Sequence, residues 1–373
     1  MKFIQIVHKY EPYISYFEEK YKIEKLNPNF ETLRSLLIND GFYGPHILKP
    51  IFDETGEGFY TMWDYERLQI TWAKENRADT LDLKEILKLQ ISAFDPDVVY
   101  NMSPQKFDIL EFEDFRTKKL LCWNADPYSI NDENLLKYDA LLTSSVIKAK
   151  EKDSTFLHYP SIDPLMKMED HAPKDIDVFF YGQYNGLPFK GRREYIAELI
   201  NFFNRNNISF KFAIMYRELQ TVYNYPIINR FAFAKKIEPA RKLSKYFSKP
   251  IFGKDIYKDI ARSKIVFNIS AEHEKFGDFK FNMRIFETLG VGGFMLSDEG
   301  QYPPYLKAGD DFVTYQNIND LKAKISYYLN NENEREKIGE CGKNTVEKFY
   351  TKENQWENFK NIITQLQNDT LFN

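Results

Sequence analysis

A chain of 373 residues is long enough for two domains of ordinary size, each with its own core. Apolar residues at 43% and aromatics at 16% mark a globular protein, and a net charge of −4 argues against broad nucleic-acid binding, which relies on neutralising phosphates. No run approaches the ~20 apolar residues of a membrane helix, and Cys122 and Cys341 form neither a disulfide framework nor a metal-type Cys/His spacing.

A reducing cytoplasm is the compartment expected from that cysteine usage. "MKFIQIVHKYEP" has an apolar run too short for a signal peptide and no small-residue cleavage site, so "KFIQIV" (2–7) reads as a first strand. "NFETLRSLLINDG" (29–41) is a helix ending at Gly41. Residues 81–102 give a helix, a Pro turn and the strand Val98-Val99-Tyr100. "KKLLCWNADP" (118–127) and "YDALLTSS" (138–145) are strands with polar residues behind them. "HYPSIDPLMKMEDHAPKD" (158–175) is polar and carries proline, and is expected to be a linker. The rhythm restarts with strand "IDVFFYGQ" (176–183), helix "RREYIAELINFFNRNN" (192–207), and strands "SFKFAIMY" (209–216) and "KIVFNIS" (264–270). Then come a helix Met283–Leu289, a glycine break over 290–293, strand "GFMLSD", and amphipathic helices over 318–331, 333–349 and 351–367.

Two βαβα units joined by a linker predict parallel sheets covered by helices, in two lobes with a cleft between them. Ligands in such sheets sit outside the carboxyl ends of the strands. That directs attention to "NMRIFETLGVGGFMLSDE" (282–299). Arg284 and Glu287, three apart, share a helix face. The bland reading is a surface ion pair, worth little. The context favours function, because Asn282 opens the helix just after a strand. A helix N-terminus there offers amides and a positive dipole end to an anion. Arg284 adds a charge suited to phosphate, and Glu287, one turn deeper, accepts from hydroxyls. Phosphate with a diol means a nucleotide or a nucleotide sugar.

The same stretch resembles the N-x-R-x-F-E-x-L-x-x-G-G/A segment of CgeB-like (spore-maturation type) glycosyltransferases, which are similar to the GT-B glycosyltransferases with a Glu-x7-Glu signature. "DIDVFFYGQ…RREYIAEL", "ARSKIVFNIS", "FVTYQNINDLKAKISYYLNN" and "EKIGECGKNTVEKFYT" follow in family order, so the resemblance covers roughly 175–351 well and 118–164 loosely. It implies a GT-B fold: two Rossmann-like lobes facing across a cleft. Residues 1–160 form the acceptor-side lobe, 175–351 bind a nucleotide-sugar donor, and a C-terminal helix within 352–373 crosses back to the first lobe. It implies ribose contact for Glu287 and places Arg284 and Asn282 near the donor diphosphate. The first signature glutamate falls at Phe279, a departure from the pattern. Glu272, His273 or Glu274 stand nearby as replacements for that polar contact.

"GQYNGLPFKGRREY" (182–195) is a second constellation. A leaving diphosphate needs its charge neutralised, and Lys190 and Arg193, at a helix start behind the loop that begins at Gly182, are the expected cations. Basic residues at a helix N-terminus oppose its dipole, which favours an anion partner over a merely solvated cap. Ser270, at the end of its strand, joins the expected donor site. A base for the acceptor hydroxyl is expected at His8 or Asp126, each ending a first-lobe strand; His158 and Asp163 are lesser cleft candidates. "DPD" (95–97) reads as a turn rather than a metal pair, and no metal or cofactor is expected beyond the donor itself. The basic, aromatic 229–264 segment is either an exposed loop and helix or a local contact with an anionic lipid surface.

The expectation is therefore metal-independent transfer of a hexose-type sugar to a hydroxyl of a glycan, a lipid-linked glycan or a protein. The rivals are a sugar-nucleotide epimerase of the same architecture and a scaffold that binds nucleotide sugars without turnover.

Overall fold

Continuous apolar runs become strands buried on both faces, as parallel sheets require. The computed structural model describes residues 1–106, 115, 117–124, 134–151, 153–167, 173–184, 190–215, 243–270 and 280–369. The chain divides into two compact units: Met1–Leu165 with Phe252–Lys254 and Glu347–Asn373, and Met166–Ile251 with Asp255–Val346.

In unit 1, β1 (Phe3–Val7), β2 (Gly58–Met62), β3 (Val98–Asn101), β4 (Lys119–Trp123), β5 (Ala140–Thr143) and β6 (Thr155–Leu157) form a parallel sheet in the order β2-β1-β3-β4-β5-β6. All five residues of β1 are buried. Helices α1 (Glu11–Tyr21), α2 (Phe30–Asp40), α3 (Glu66–Glu75) and α4 (Leu83–Phe94) intervene between the first three strands. Helix α2 has the Asn29 side chain as its N-cap, accepting from Thr32 N at 2.8 Å, and Gly41 closes it. Helix α5 (Val146–Glu151) follows β5.

Residues 158–163, expected within a linker, are packed into this unit. His158 is buried and its Nδ1 shares a 2.9 Å hydrogen bond with Asn358 Oδ1. Ser161 Oγ donates to Gln355 Oε1 at 3.0 Å, and Ile162 N to Tyr350 O at 2.7 Å. The first boundary between the units, Leu165/Met166, falls within the 158–175 segment, and the polar groups of 158–163 are buried because they are paired inside the fold. The chain also returns to unit 1 at Phe252, whose ring meets those of Tyr10, Tyr13, Tyr16 and Phe42. Gly253 follows at φ +56°, where a Cβ would lie 2.1 Å from Asp40 O, so only glycine fits.

In unit 2, β7 (Ile176–Gln183), β8 (Phe210–Met215), β9 (Phe247–Ser248), β10 (Ser263–Phe267), β11 (Met295–Asp298) and β12 (Val313–Tyr315) form a parallel sheet in the order β12-β11-β10-β7-β8-β9. Its helices are α6 (Lys190–Asn206), α7 (Lys254–Ala261, which starts in unit 1), α8 (Met283–Val291), α9 (Ile318–Leu329) and α10 (Glu332–Phe349, whose last turn lies in unit 1). Helix α8 runs two residues beyond the expected Leu289, through Gly290. A helix interior tolerates one glycine at a cost of about 1 kcal/mol, and the turn is made by Gly292 at φ +81°. The final helix, α11 (Lys352–Asp369), sets Phe359, Ile362 and Ile363 into the core of unit 1. Among the described residues no helix is long and apolar enough to cross a membrane.

Candidate functional site

Strand order reverses beside β7: β8 and β9 extend the sheet one way, β10 to β12 the other. Such a switch point opens a crevice at the carboxyl ends of the strands. Here it lies between the ends of β7 and β10, and two arginines are buried there. Arg192, in the first turn of α6, donates from Nη1 to Gln183 O and from Nη2 to Ile269 O, both at 2.9 Å. Arg284, in the first turn of α8, donates from Nη1 to Asn268 Oδ1 at 2.6 Å and from Nη2 to Tyr181 O. β10 pairs with β7 only as far as Val266↔Phe179, and beyond that point the guanidinium groups donate to these carbonyls. Both stack on the same ring, with Arg284 Cζ 4.6 Å and Arg192 Cζ 5.7 Å from the centroid of Phe180.

Their proximity has an electrostatic cost. Burial, and then the neighbouring Arg284 charge, bring the Arg192 pKa down to about 9. Burial also lowers that of Arg284, against the pull of Tyr181 and Glu287. Gly182 makes the arrangement possible. At φ +146° it is the penultimate residue of β7, beside Arg284, and a Cβ there would lie 2.7 Å from Arg284 Nη2.

Carboxylates complete the constellation. Glu287 is buried one turn along α8 and accepts from Tyr181 Oη at 2.5 Å. Asp298, at the end of β11, accepts from Ser270 N at 3.1 Å, Ser270 Oγ at 3.2 Å and Lys280 Nζ at 2.7 Å. Asn268 donates to Ser297 Oγ at 2.8 Å and its carbonyl accepts from Tyr315 Oη at 2.7 Å. Three cations thus face two carboxylates, leaving a net positive site among the described residues.

The residues expected from the sequence divide as follows. Gly182, Ser270, Arg284 and Glu287 come together at the switch point. Asn282 stands at the N-cap of α8 without capping it, and its buried Oδ1 has no hydrogen-bond partner among the described residues. Lys190 opens α6, but its side chain lies outside the described residues. Arg193 is half-buried beside Arg192, and it is Arg192 that reaches the strand ends. His273, Phe279 and Asp126 lie outside the described residues. Asn268, Tyr181, Lys280 and Asp298 were not singled out. The polar Asn268 within the apolar run "KIVFNIS" was the available signal.

His8 occupies the equivalent point of unit 1, where the order reverses beside β1. Its Nδ1 is 2.6 Å from Ser103 Oγ, and its carbonyl accepts from Tyr43 Oη at 2.8 Å. Burial, and then Lys106, lower its pKa, so the imidazole is neutral and able to take a proton at neutral pH. Asp64, also not singled out, accepts from Lys9 N at 2.6 Å, and burial raises its pKa. Among the described residues no cluster of three metal-ligating side chains occurs. In the 229–264 segment, three described cations have carboxylate partners: Lys258 with Asp255, Arg262 with Asp175, and Lys264 with Asp177.

Similarity to solved structures decides the architecture. HepE of Anabaena, in complex with UDP and glucose, matches with a TM-score of 0.60 at 12% identity, over 98% of this chain and 100% of that one. The fold is GT-B. Sucrose-phosphate synthase from Thermosynechococcus elongatus matches with a TM-score of 0.52 at 13% identity, over 83% of this chain and 81% of that one. TarM matches with a TM-score of 0.51 at 14% identity, over 71% of this chain and only 54% of TarM. The family model described as "Glycosyl transferase-like" matches residues 235–361, which include α8 and β11 of the second GT-B sheet. No curated protein matches the chain in sequence.

Proposed function

We propose that the protein is a glycosyltransferase that moves a hexose-type sugar from a nucleotide-diphosphate sugar to a hydroxyl of a glycan, a lipid-linked glycan or a protein. The observation that carries this is the pair of buried guanidinium groups at the switch point beside Gly182. Two like charges out of water repel each other at a cost of several kcal/mol, and Glu287 and Asp298 offset only part of it, leaving room for a further anion. A diphosphate seated over them, at the N-termini of α6 and α8, is that anion. Glu287, three residues on from Arg284, takes the ribose hydroxyls.

In the reaction, the acceptor oxygen bonds to the anomeric carbon as the bond from that carbon to the β-phosphate oxygen breaks. The electron pair leaves with the diphosphate, and the fixed cations stabilise it as its charge grows. The acceptor proton passes to a base, for which His8 is the candidate among the described residues. The positive charge comes from side chains and helix ends, so donor binding is expected to survive EDTA. HepE and a TarM variant have been solved in complex with UDP, which makes uridine the first donor base to test.

The test is calorimetric titration with a panel of sugar nucleotides, then product analysis with and without acceptors. Arg284→Ala is expected to weaken nucleotide binding by about tenfold or more, as loss of a charge-assisted contact does. Glu287→Ala is expected to lose the hydroxyl contribution. Conversion of the donor sugar with no acceptor would indicate epimerisation, and binding without conversion a scaffold. Parental binding and turnover in both variants would refute the site.

A further inference from the structure

Glu287 is almost fully buried, and a carboxylate in that position needs a partner. The two Nη groups of Arg284 point elsewhere, to Asn268 Oδ1 and Tyr181 O. Tyr181 supplies a different kind of partner. Its hydroxyl donates to Glu287 Oε2 at 2.5 Å from a buried ring. The same residue holds Arg284 twice more: its carbonyl accepts from Nη2, and its ring lies 4.8 Å from the guanidinium carbon. One residue of β7 therefore fixes both side chains of α8 relative to each other.

We propose that Tyr181 is a positioning residue for nucleotide recognition, its hydroxyl orienting the Glu287 carboxylate toward a ribose hydroxyl of the bound donor. This rests on the donor-site reading above. A neutral phenol suits the task. It locks the carboxylate plane without cancelling the negative charge, so Glu287 keeps its strength as an acceptor for a ligand hydroxyl. A cation in the same place would compete for the lone pairs that recognition needs. Glu287 is then oriented before the ligand arrives, which spares the cost of ordering it on binding.

The experiment uses the full-length chain. UDP, GDP and ADP are titrated, and the nucleotide that binds is compared with its 2′-deoxy and 3′-deoxy forms in the parent, Glu287→Gln and Tyr181→Phe. The parent is expected to prefer a ribonucleotide over one deoxy form by about tenfold or more, the value of a hydrogen bond to a charged group. Glu287→Gln is expected to lose most of that preference. Tyr181→Phe keeps the ring and carbonyl, and is expected to weaken the ribonucleotide several-fold while leaving the deoxy form unchanged. A Glu287→Gln variant that retains the full preference overturns the ribose reading and this proposal with it. Loss of preference in Glu287→Gln but not in Tyr181→Phe, or an equal loss for ribo and deoxy forms in Tyr181→Phe, overturns the proposal alone. Should Tyr181→Phe fail to fold, the double variant with Glu287→Gln removes the buried charge and takes its place. It is expected to bind both forms as Glu287→Gln does, and weaker binding of both shows that Tyr181 acts by another route.

Discussion

Gly182 has no side chain, and its space is taken by the end of Arg284. Gly182→Ala would place a Cβ 2.7 Å from Nη2 of a guanidinium already held by Asn268 and the Tyr181 carbonyl, so it cannot swing aside. The backbone there, at φ +146°, also disfavours any L side chain. We expect a loss of about 1–3 kcal/mol in stability, in nucleotide affinity, or divided between the two, read by thermal melting and calorimetry. Parental values in both would show that the guanidinium has room. At this scale Arg284 and Glu287 were legible, because spacing on a helix fixes which face they share. The choice between Arg192 and Arg193 was not. Adjacent helical residues point about 100° apart, and only the docking of α6 on the sheet decides which one turns toward the strand ends.

Helices and strands with clear apolar periodicity appeared where the sequence put them: α2, α4, α6, α9 and the buried strands β1, β3, β4, β7 and β10. Weakly patterned elements were missed. Helix α1 has Pro12 in its first turn and no side-chain cap, and β2 is a five-residue strand beginning at a glycine. Both are held by tertiary packing, which overrides weak local preference. Helix α11 shows what such packing is worth. Phe359 is fully buried against Phe3, Trp356, Tyr100 and His158. Phe359→Ala is expected to cost about 3–5 kcal/mol through the cavity it leaves, measured as a lower urea midpoint. A change below about 1 kcal/mol would mean that α11 contributes little to the core of unit 1.

For the whole molecule, buried titratable groups set a stability window. Burial lowers His46 to about 3 and His158 to about 4, from an ordinary 6.5. The unfolded chain therefore binds these protons first. The stability at stake is complete above pH 6.5 and is lost as the pH falls through 4 towards 3, by about 1.4 kcal/mol for each tenfold difference in proton affinity. Lys352, whose Nζ donates to Gly44 O and Ile47 O at 2.6 Å, is lowered by burial to about 7 and acts in the same sense between pH 10.5 and 7. The buried phenols Tyr13, Tyr60, Tyr100, Tyr181 and Tyr315 have the opposite sign. Burial raises them well above 10.0, so the unfolded chain ionises first and stability falls above that pH. A series of urea melts across pH should show stability rising from about pH 3 to 6.5 with the histidines, rising again between about 7 and 10 with Lys352, and falling above about 10 as the phenols of the unfolded chain ionise, and His158→Phe should flatten the acid limb. What the sequence determined by itself was the alternation of apolar runs, hence two parallel α/β sheets, and the motif around Arg284, because periodicity and helix spacing are local. Only the tertiary structure decided that Gly182, Arg192, Asn268 and Glu287 share one crevice. That follows from β10 pairing with β7, and strand order is a long-range choice made by burial and pairing that no local pattern records.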